Sequence, residues 1–300
     1  MTSERPQLDD LEILDLLLAE AEVDRPDRAE IPRAASAAPI LSRAQRRIWF
    51  LQQMAPDNPA YAIVCAVALS GRLDLDALRS SLHEIVRRHE ALRTCFPAVD
   101  GRPSAALCRD WVPDIPVDDL TGLPEPARRE RVVRLCEAEA RRPFDLTTGP
   151  LLRLRLLRLA EREHVALLGL HHIVTDGWSM GVLVNELVTL YGRLKQGQAP
   201  ELAPLPIQYA DYAFWQTQLQ DSGVLGQQAD YWRQRLAGFG GQLALPLDFP
   251  RPARASQEGG LVSFELPAAL SQRIQAMARE AGVTPYVALL TAFSLFLHRL

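Results

Sequence analysis

Leu167-Leu168-Gly169-Leu170-His171-His172-Ile173-Val174-Thr175-Asp176-Gly177-Trp178-Ser179 carries an apolar strand into a helix within a few residues. Val165 to Leu170 is an unbroken apolar run and reads as a buried strand. It ends in two adjacent histidines. Asp176 and Gly177 turn the chain, and Trp178 to Leu194 follows as a helix with Leu183, Leu187 and Leu194 on one side. A strand tip of this kind sets an imidazole beside the unpaired N–H groups of a helix N-terminus, with a glycine to permit the tight turn. Such an arrangement suits chemistry in which a proton moves while negative charge builds on an oxygen.

The flanking sequence supplies layers for that strand. Leu152, Leu154 and Leu156 alternate with Arg153 and Arg155, the pattern of a half-buried strand over Leu151 to Leu159. Glu161 to Glu163 is the turn that pairs it with His164 to His171. Upstream, Ser42 caps a helix carrying Gln45, Ile48, Trp49, Leu51 and Met54, which Pro56 and Pro59 end. Ala60 to Leu69 is a strand. Asp74 or Asp76 opens a helix with Leu75, Leu78, Leu82, Ile85 and Val86 at helical spacing, ending near His89. Ala91 to Phe96 reads as a strand, Ser104 to Leu107 follows a turn at Gly101, and Glu125 to Arg141 is a charged helix. Downstream come helices over Tyr209–Leu219 and Gln227–Leu236, then a proline-containing boundary from Phe239 to Gln257. Val262, Phe264 and Leu266 alternate as a strand. Leu270 to Ala281 is a helix ended by Gly282, and Thr284-Pro285 opens a last one. The class is α/β, with strands and helices mixed in a layered α+β arrangement. Three segments follow: 1–39, 40–238 and 239–300. The first holds a short acidic amphipathic helix over Leu8–Leu18, a candidate docking segment, and a linker from Asp24 to Pro39. Ala288 to Leu300 carries no stop signal, so the natural polypeptide is expected to continue.

Composition bounds the function. The apolar share of 48% and charged share of 23% are those of an ordinary globular protein. Net charge is 33 − 37 = −4, so no general basic field gathers nucleic acid. The apolar runs are too short for a bilayer span, and the polar N-terminus is no signal peptide. Cys65, Cys95, Cys108 and Cys136 lie far apart without metal-ligand spacing and read as reduced thiols in a cytoplasmic protein.

His171-His172-x-x-x-Asp176-Gly177 is the core candidate. Read alone it fits a structural histidine pair satisfied by hydrogen bonds as well as a reactive site. A zinc site is disfavoured, because adjacent strand residues point to opposite faces and no other His or Cys cluster completes a ligand set. A serine hydrolase is disfavoured too, for want of a G-x-S-x-G elbow. An imidazole has an unperturbed pKa of about 6.5, close enough to neutrality to take up or give back a proton.

Four motifs occur in order: Leu41-Ser42-x-Ala44-Gln45-x-Arg47-x-Trp49, Arg88-His89-Glu90-Ala91-Leu92-Arg93-Thr94-x-Phe96, the His171 to Ser179 stretch, and Tyr209-x-Asp211-Tyr212-x-x-Trp215-Gln216. Together they resemble the condensation domain of nonribosomal peptide synthetases, from about Ile40 to the last residue. The His-His-x-x-x-Asp-Gly element alone would also fit other acyltransferases. The resemblance implies a two-lobed fold similar to chloramphenicol acetyltransferase, with the first lobe complete over 40–238 and the second truncated over 239–300. It implies amide formation: the amine of a downstream aminoacyl carrier protein attacks the acyl thioester held by an upstream carrier. The partners implied are those two peptidyl carrier proteins and an adenylation domain of the same synthetase. Substrates arrive on phosphopantetheine arms, with no bound cofactor and no metal. His172 is then the catalytic histidine, Gly177 lets the backbone approach the substrate and offers its N–H to the oxyanion, and His171 packs. Asp176 is structural in the resemblance, a buried carboxylate whose arginine partner lies beyond Leu300. Left unpaired, its pKa would rise. Arg93 is a framework residue, and Trp178, Trp215 and Trp232 read as core packing. The rivals are a free-standing acyltransferase using coenzyme A thioesters, an epimerisation domain, and a non-catalytic recruitment domain. A heterocyclisation domain carries aspartates at the two histidine positions and is disfavoured.

Overall fold

The computed structural model describes residues 31–34, 40–108, 111, 113–221, 223–241, 245–250 and 262–300. The helix expected over Leu8–Leu18 lies outside them. The described residues up to Val224 form one compact unit and those from Leu225 onward a second.

The first unit is built on a four-stranded sheet. Its strands are β1 (Ala62–Ser70), β6 (Val117–Asp119), β7 (Leu152–Ala160) and β8 (Glu163–His171), in the order β1-β8-β7-β6. β8 runs antiparallel to β1 and β7, while β6 runs parallel to β7. The alternation read from sequence holds: Leu152, Leu154 and Leu156 of β7 and Leu168 and Leu170 of β8 join one apolar layer. Helices α2 (Leu75–Arg88) and α4 (Gly177–Lys195) cover it with Leu82, Ile85, Leu183 and Leu190. Leu157 and Leu167 turn to the other face, where Leu135 of α3 (Glu125–Arg141) meets them. The result is a helix–sheet–helix sandwich with β8 inside it.

A second cluster sits under α1 (Arg43–Met54). Ser42 and Gln45 make the reciprocal bonds of a capping box, which fixes where α1 begins. Trp49 of α1 donates from Nε1 to the carbonyl of Phe96 at 2.9 Å and packs with Phe144, Leu146, Leu151 and Ile173.

Three expectations need correction. The strand expected over Ala91–Phe96 is mostly a 3-10 turn, Glu90–Arg93, leaving only β2 (Thr94–Cys95). β2 pairs with β5 (Ala106–Leu107), and a separate small hairpin joins β3 (Ala98–Val99) to β4 (Arg102–Pro103). Glu90 and Thr94 are spaced to close a turn: the Thr94 hydroxyl donates to the carbonyl of Glu90 at 2.7 Å. The second correction concerns the thiols. Pairing of β2 with β5 brings Cys95 and Cys108 to a Cα separation of 6.6 Å, and a disulfide joins them; Cys65 and Cys136 are free. Distance in sequence hid that pairing, because only the hairpin closes it. Third, Val262, Phe264 and Leu266 are exposed and form no strand. Alternation gives a segment two faces, but a strand also needs a neighbour for its backbone groups, and none of the described residues supplies one.

α5 (Tyr209–Asp221) closes the first unit. The second holds the residues of α6 (Val224–Arg235) from Leu225 on, with α7 (Ala268–Glu280) and α8 (Pro285–His298). Thr284 caps α8 by accepting from Val287, and Gly282 adopts positive φ after α7, as their types require. Among the described residues no single helix is long and apolar enough to cross a membrane; α7 and α8 together would be, but for a bend of 103° between them.

Candidate active site

The site forms where β8 ends. His171, its last residue, pairs with Ala62 of β1, and the next N–H, from His172, donates to the carbonyl of Tyr61 at 2.8 Å. One step along an extended chain reverses the side chain. His171 therefore points inward at 2% exposure, while His172 is exposed.

His171 is a packing residue. Its ring lies edge-on to Phe144 at 5.8 Å, and its Nδ1 accepts the N–H of Ile173 at 3.1 Å. Nε2 then carries the proton, toward Gln52 Oε1 at 3.5 Å. Burial first, and then the charges of His172 and Arg153, pushes its pKa down to about 4. It is neutral near pH 7.

His172 is held differently. Its Nδ1 lies 2.8 Å from the carbonyl oxygen of Thr175. A carbonyl only accepts, so Nδ1 carries the hydrogen, and in the neutral ring Nε2 keeps a free lone pair. Thr175 is buried, which steadies the acceptor. Gln45 braces the same turn by donating from Nε2 to the carbonyl of Ile173 at 3.1 Å.

Asp176 departs from expectation. It is exposed, and it is the N-cap of α4: Oδ1 accepts the N–H of Ser179 at 2.8 Å and its hydroxyl at 2.6 Å. The hydroxyl bond, then the backbone bonds, lower its pKa rather than raise it. Gly177 is the first residue of α4, a position whose N–H has no acceptor within the helix. A Cβ built on Gly177 meets nothing within 4 Å among the described residues, so their packing does not demand glycine there.

The remaining candidates are spread around the site. Arg93 is half-buried in the 3-10 turn, with Nη2 3.2 Å from Glu90 Oε1. Trp178 is 58% exposed and Trp232 is exposed as well, so neither is a core residue. Met180 of the same first turn packs against the core layer, while the Trp178 indole stays at the surface.

Two adjoining cavities open at this point. A smaller one of about 210 Å³ is lined by His172, Asp176, Ser179, Gln45, Ile48 and Tyr209. A larger one of about 730 Å³ shares Val174, Thr175, Ser179 and Tyr209 with it and extends along Trp178 and Val182. Tyr209 stands at both, its hydroxyl 2.9 Å from Ser42 Oγ, and burial raises its pKa so that the phenol stays protonated. Tyr209, Thr175 and Gln45 were not singled out in the sequence as site residues. The signal available was that all three lie within the ordered motifs, Thr175 in the His171–Ser179 stretch itself.

Comparison with known proteins fixes the class. The condensation-domain family matches residues 36–300, and the chain belongs to that family. The chain is 42% identical over 275 residues to phosphinothricin tripeptide synthetase PhsC of Streptomyces viridochromogenes, covering 91% of this chain and 25% of that protein. To chondramide synthase cmdD of Chondromyces crocatus it is 41% identical over 270 residues, covering 89% of this chain and 7% of the relative. The chain thus spans a quarter or less of these relatives. Among solved structures, the X-domain from teicoplanin biosynthesis matches with a TM-score of 0.78 at 31% identity, over 89% of this chain and 58% of that one. The starter condensation domain of rhizomide synthetase matches with a TM-score of 0.61 at 25% identity, over 69% and 49%. The expected family and its chloramphenicol acetyltransferase-like fold are borne out.

Proposed function

We propose that this chain forms an amide bond between two thioester-bound substrates, as a condensation domain within a nonribosomal peptide synthetase. An upstream carrier protein presents an acyl or peptidyl thioester on its phosphopantetheine arm. A downstream carrier presents an aminoacyl thioester, whose free amine attacks the carbonyl carbon. The C–N bond forms, the C–S bond breaks, the upstream thiol leaves, and the lengthened chain stays on the downstream carrier. An adenylation domain loads the aminoacyl group. Residues 40–238 read as the first lobe and 239–300 as the start of the second.

One observation carries this reading: an exposed imidazole, its Nδ1–H fixed to the Thr175 carbonyl, with Nε2 left to accept and a cavity beside it. A thioester is already activated, so no enzyme nucleophile is needed; what the amine must do is lose a proton. His172 takes that proton at Nε2 or holds the amine in line through it. General-base help of this kind is worth roughly 10²–10⁴-fold. Holding two tethered reactants together contributes more, on the order of 7–11 kcal/mol. The N–H of Gly177, which has no acceptor within α4, is the group this reading assigns to the developing oxyanion. Asp176 already offsets the positive end of that helix, so the help comes from the directed N–H and not from the helix dipole.

The test is transfer between two loaded carriers, followed by intact mass. The reading predicts that the acyl group appears on the downstream carrier as an amide. The likeness to an X-domain, which has been solved in complex with OxyB, favours a second reading as a recruitment module. On that reading both thioesters stay where they were loaded.

A further inference from the structure

Asp24 to Pro39 has the composition of a linker, yet residues 31–34 are fastened to the fold. Arg33 donates from Nε to the carbonyl of Pro206 at 2.8 Å and from Nη2 to that of Leu205 at 3.4 Å. The N–H of Ala34 donates to Asp211 Oδ1 at 2.7 Å. The other oxygen of that carboxylate accepts the N–H of Gln208 at 2.7 Å, so Asp211 ties the segment and the first turn of α5 together. Ahead of these bonds sits Ile31, half-buried, in the wall of the larger cavity with Trp178, Val182, Leu205 and Ile207.

We infer that Ile31–Ala34 is a strap closing one wall of this cavity, and that Ile31 sets how large an apolar group a substrate can seat there, next to the smaller cavity that His172 lines. Four side chains in that wall are aliphatic and one is an indole. The volume of about 730 Å³ falls in the range of small-molecule sites. A straight alkyl chain or an apolar side chain fits that wall, while His89, Ser179, Gln208 and Tyr209 stand elsewhere in the lining. Arg33 is exposed and its partners are carbonyls, so its bonds steer the segment more than they stabilise the fold. Asp211 thereby links the Tyr209-x-Asp211-Tyr212 motif to the residues ahead of α1. The substrate statement rests on the acyl-transfer reading above; the statement about the wall does not.

The experiment uses the full chain labelled with 5-fluorotryptophan, the Trp178 resonance being assigned by its loss in Trp178→Phe. Straight-chain alcohols of rising length serve as the probe, and the Trp178 shift reads their binding. In Ile31→Ala the preferred alcohol lengthens, and each further methylene seated tightens binding about fourfold. In Ile31→Trp the longest alcohols that bind wild type weaken about tenfold. Arg33→Ala, which removes two exposed bonds to the Leu205 and Pro206 carbonyls, lengthens the preferred alcohol as Ile31→Ala does. An identical length profile in wild type and all three variants would overturn the proposal. Carrier-to-carrier transfer in the same proteins separates the two claims. An inactive wild type counts against acyl transfer, while the alcohol profile still decides on the strap.

Discussion

His171 and His172 stand one peptide apart and carry opposite burdens. A buried neutral imidazole ties stability to pH. The folded pKa of His171 is about 4, below its unfolded value of about 6.5. Between those values the unfolded chain binds the extra proton, so stability is full above pH 6.5 and falls as pH drops toward 4. The full loss is on the order of 3 kcal/mol. Urea midpoints measured from pH 7.5 to 4 should show this slope, and His171→Gln should flatten it; burial lowers the pKa of His164 too, so part of the slope should remain. Asp176 makes a different prediction. Asp176→Ala removes the α4 cap and should cost about 1 kcal/mol in thermal unfolding, while Asp176→Ser should keep most of it. Loss of stability in the Ser variant equal to that in Ala would reject the capping role. The opposite facing of the two histidines was legible in the sequence, since strand alternation alone dictates it. The exposure of Asp176 was not, although an aspartate three residues before Ser179 at a helix start is itself a capping signal. The resemblance drew attention to an absent arginine instead.

Between elements, the packing of α2 on α4 turns on one carboxylate. Glu186 of α4 meets Arg88 Nε at 3.1 Å and His89 Nε2 at 2.6 Å, at the end of α2, with all three side chains largely buried. Glu186→Ala would strand a guanidinium there and should cost about 3 kcal/mol, whereas Glu186→Gln should cost visibly less. Chemical denaturation measures both, and equal small losses would show that the clamp contributes little. Leu170→Ala, in the apolar layer below, should cost about 2–5 kcal/mol by the cavity it leaves. Helices and strands with an apolar pattern were readable from spacing: α2, α4, β7 and β8 lie within a residue or two of where their patterns place them. Segments failed where local pattern was not enough. Ala91 to Phe96 folds as a turn because Thr94 bonds back to Glu90, and Val262 to Leu266 has sidedness without a neighbour.

At the scale of the molecule, contacts remote in sequence did what no window of residues could reveal. Cys95 and Cys108 meet only when a hairpin closes, and the bonds from Arg33 and Ala34 span more than 170 positions. The family was legible from four ordered motifs, whereas the cavity at His172 and the larger one adjoining it are products of the assembled unit. Gly177→Ala should fold like wild type, since its Cβ would meet nothing among the described residues, yet slow transfer if substrate passes there; unchanged rates would place substrate elsewhere. The most direct measurement is single-turnover transfer between two loaded carriers, wild type against His172→Ala. The account predicts a loss of about 10²–10⁴-fold with an unchanged unfolding midpoint. Equal rates in the two proteins would contradict it.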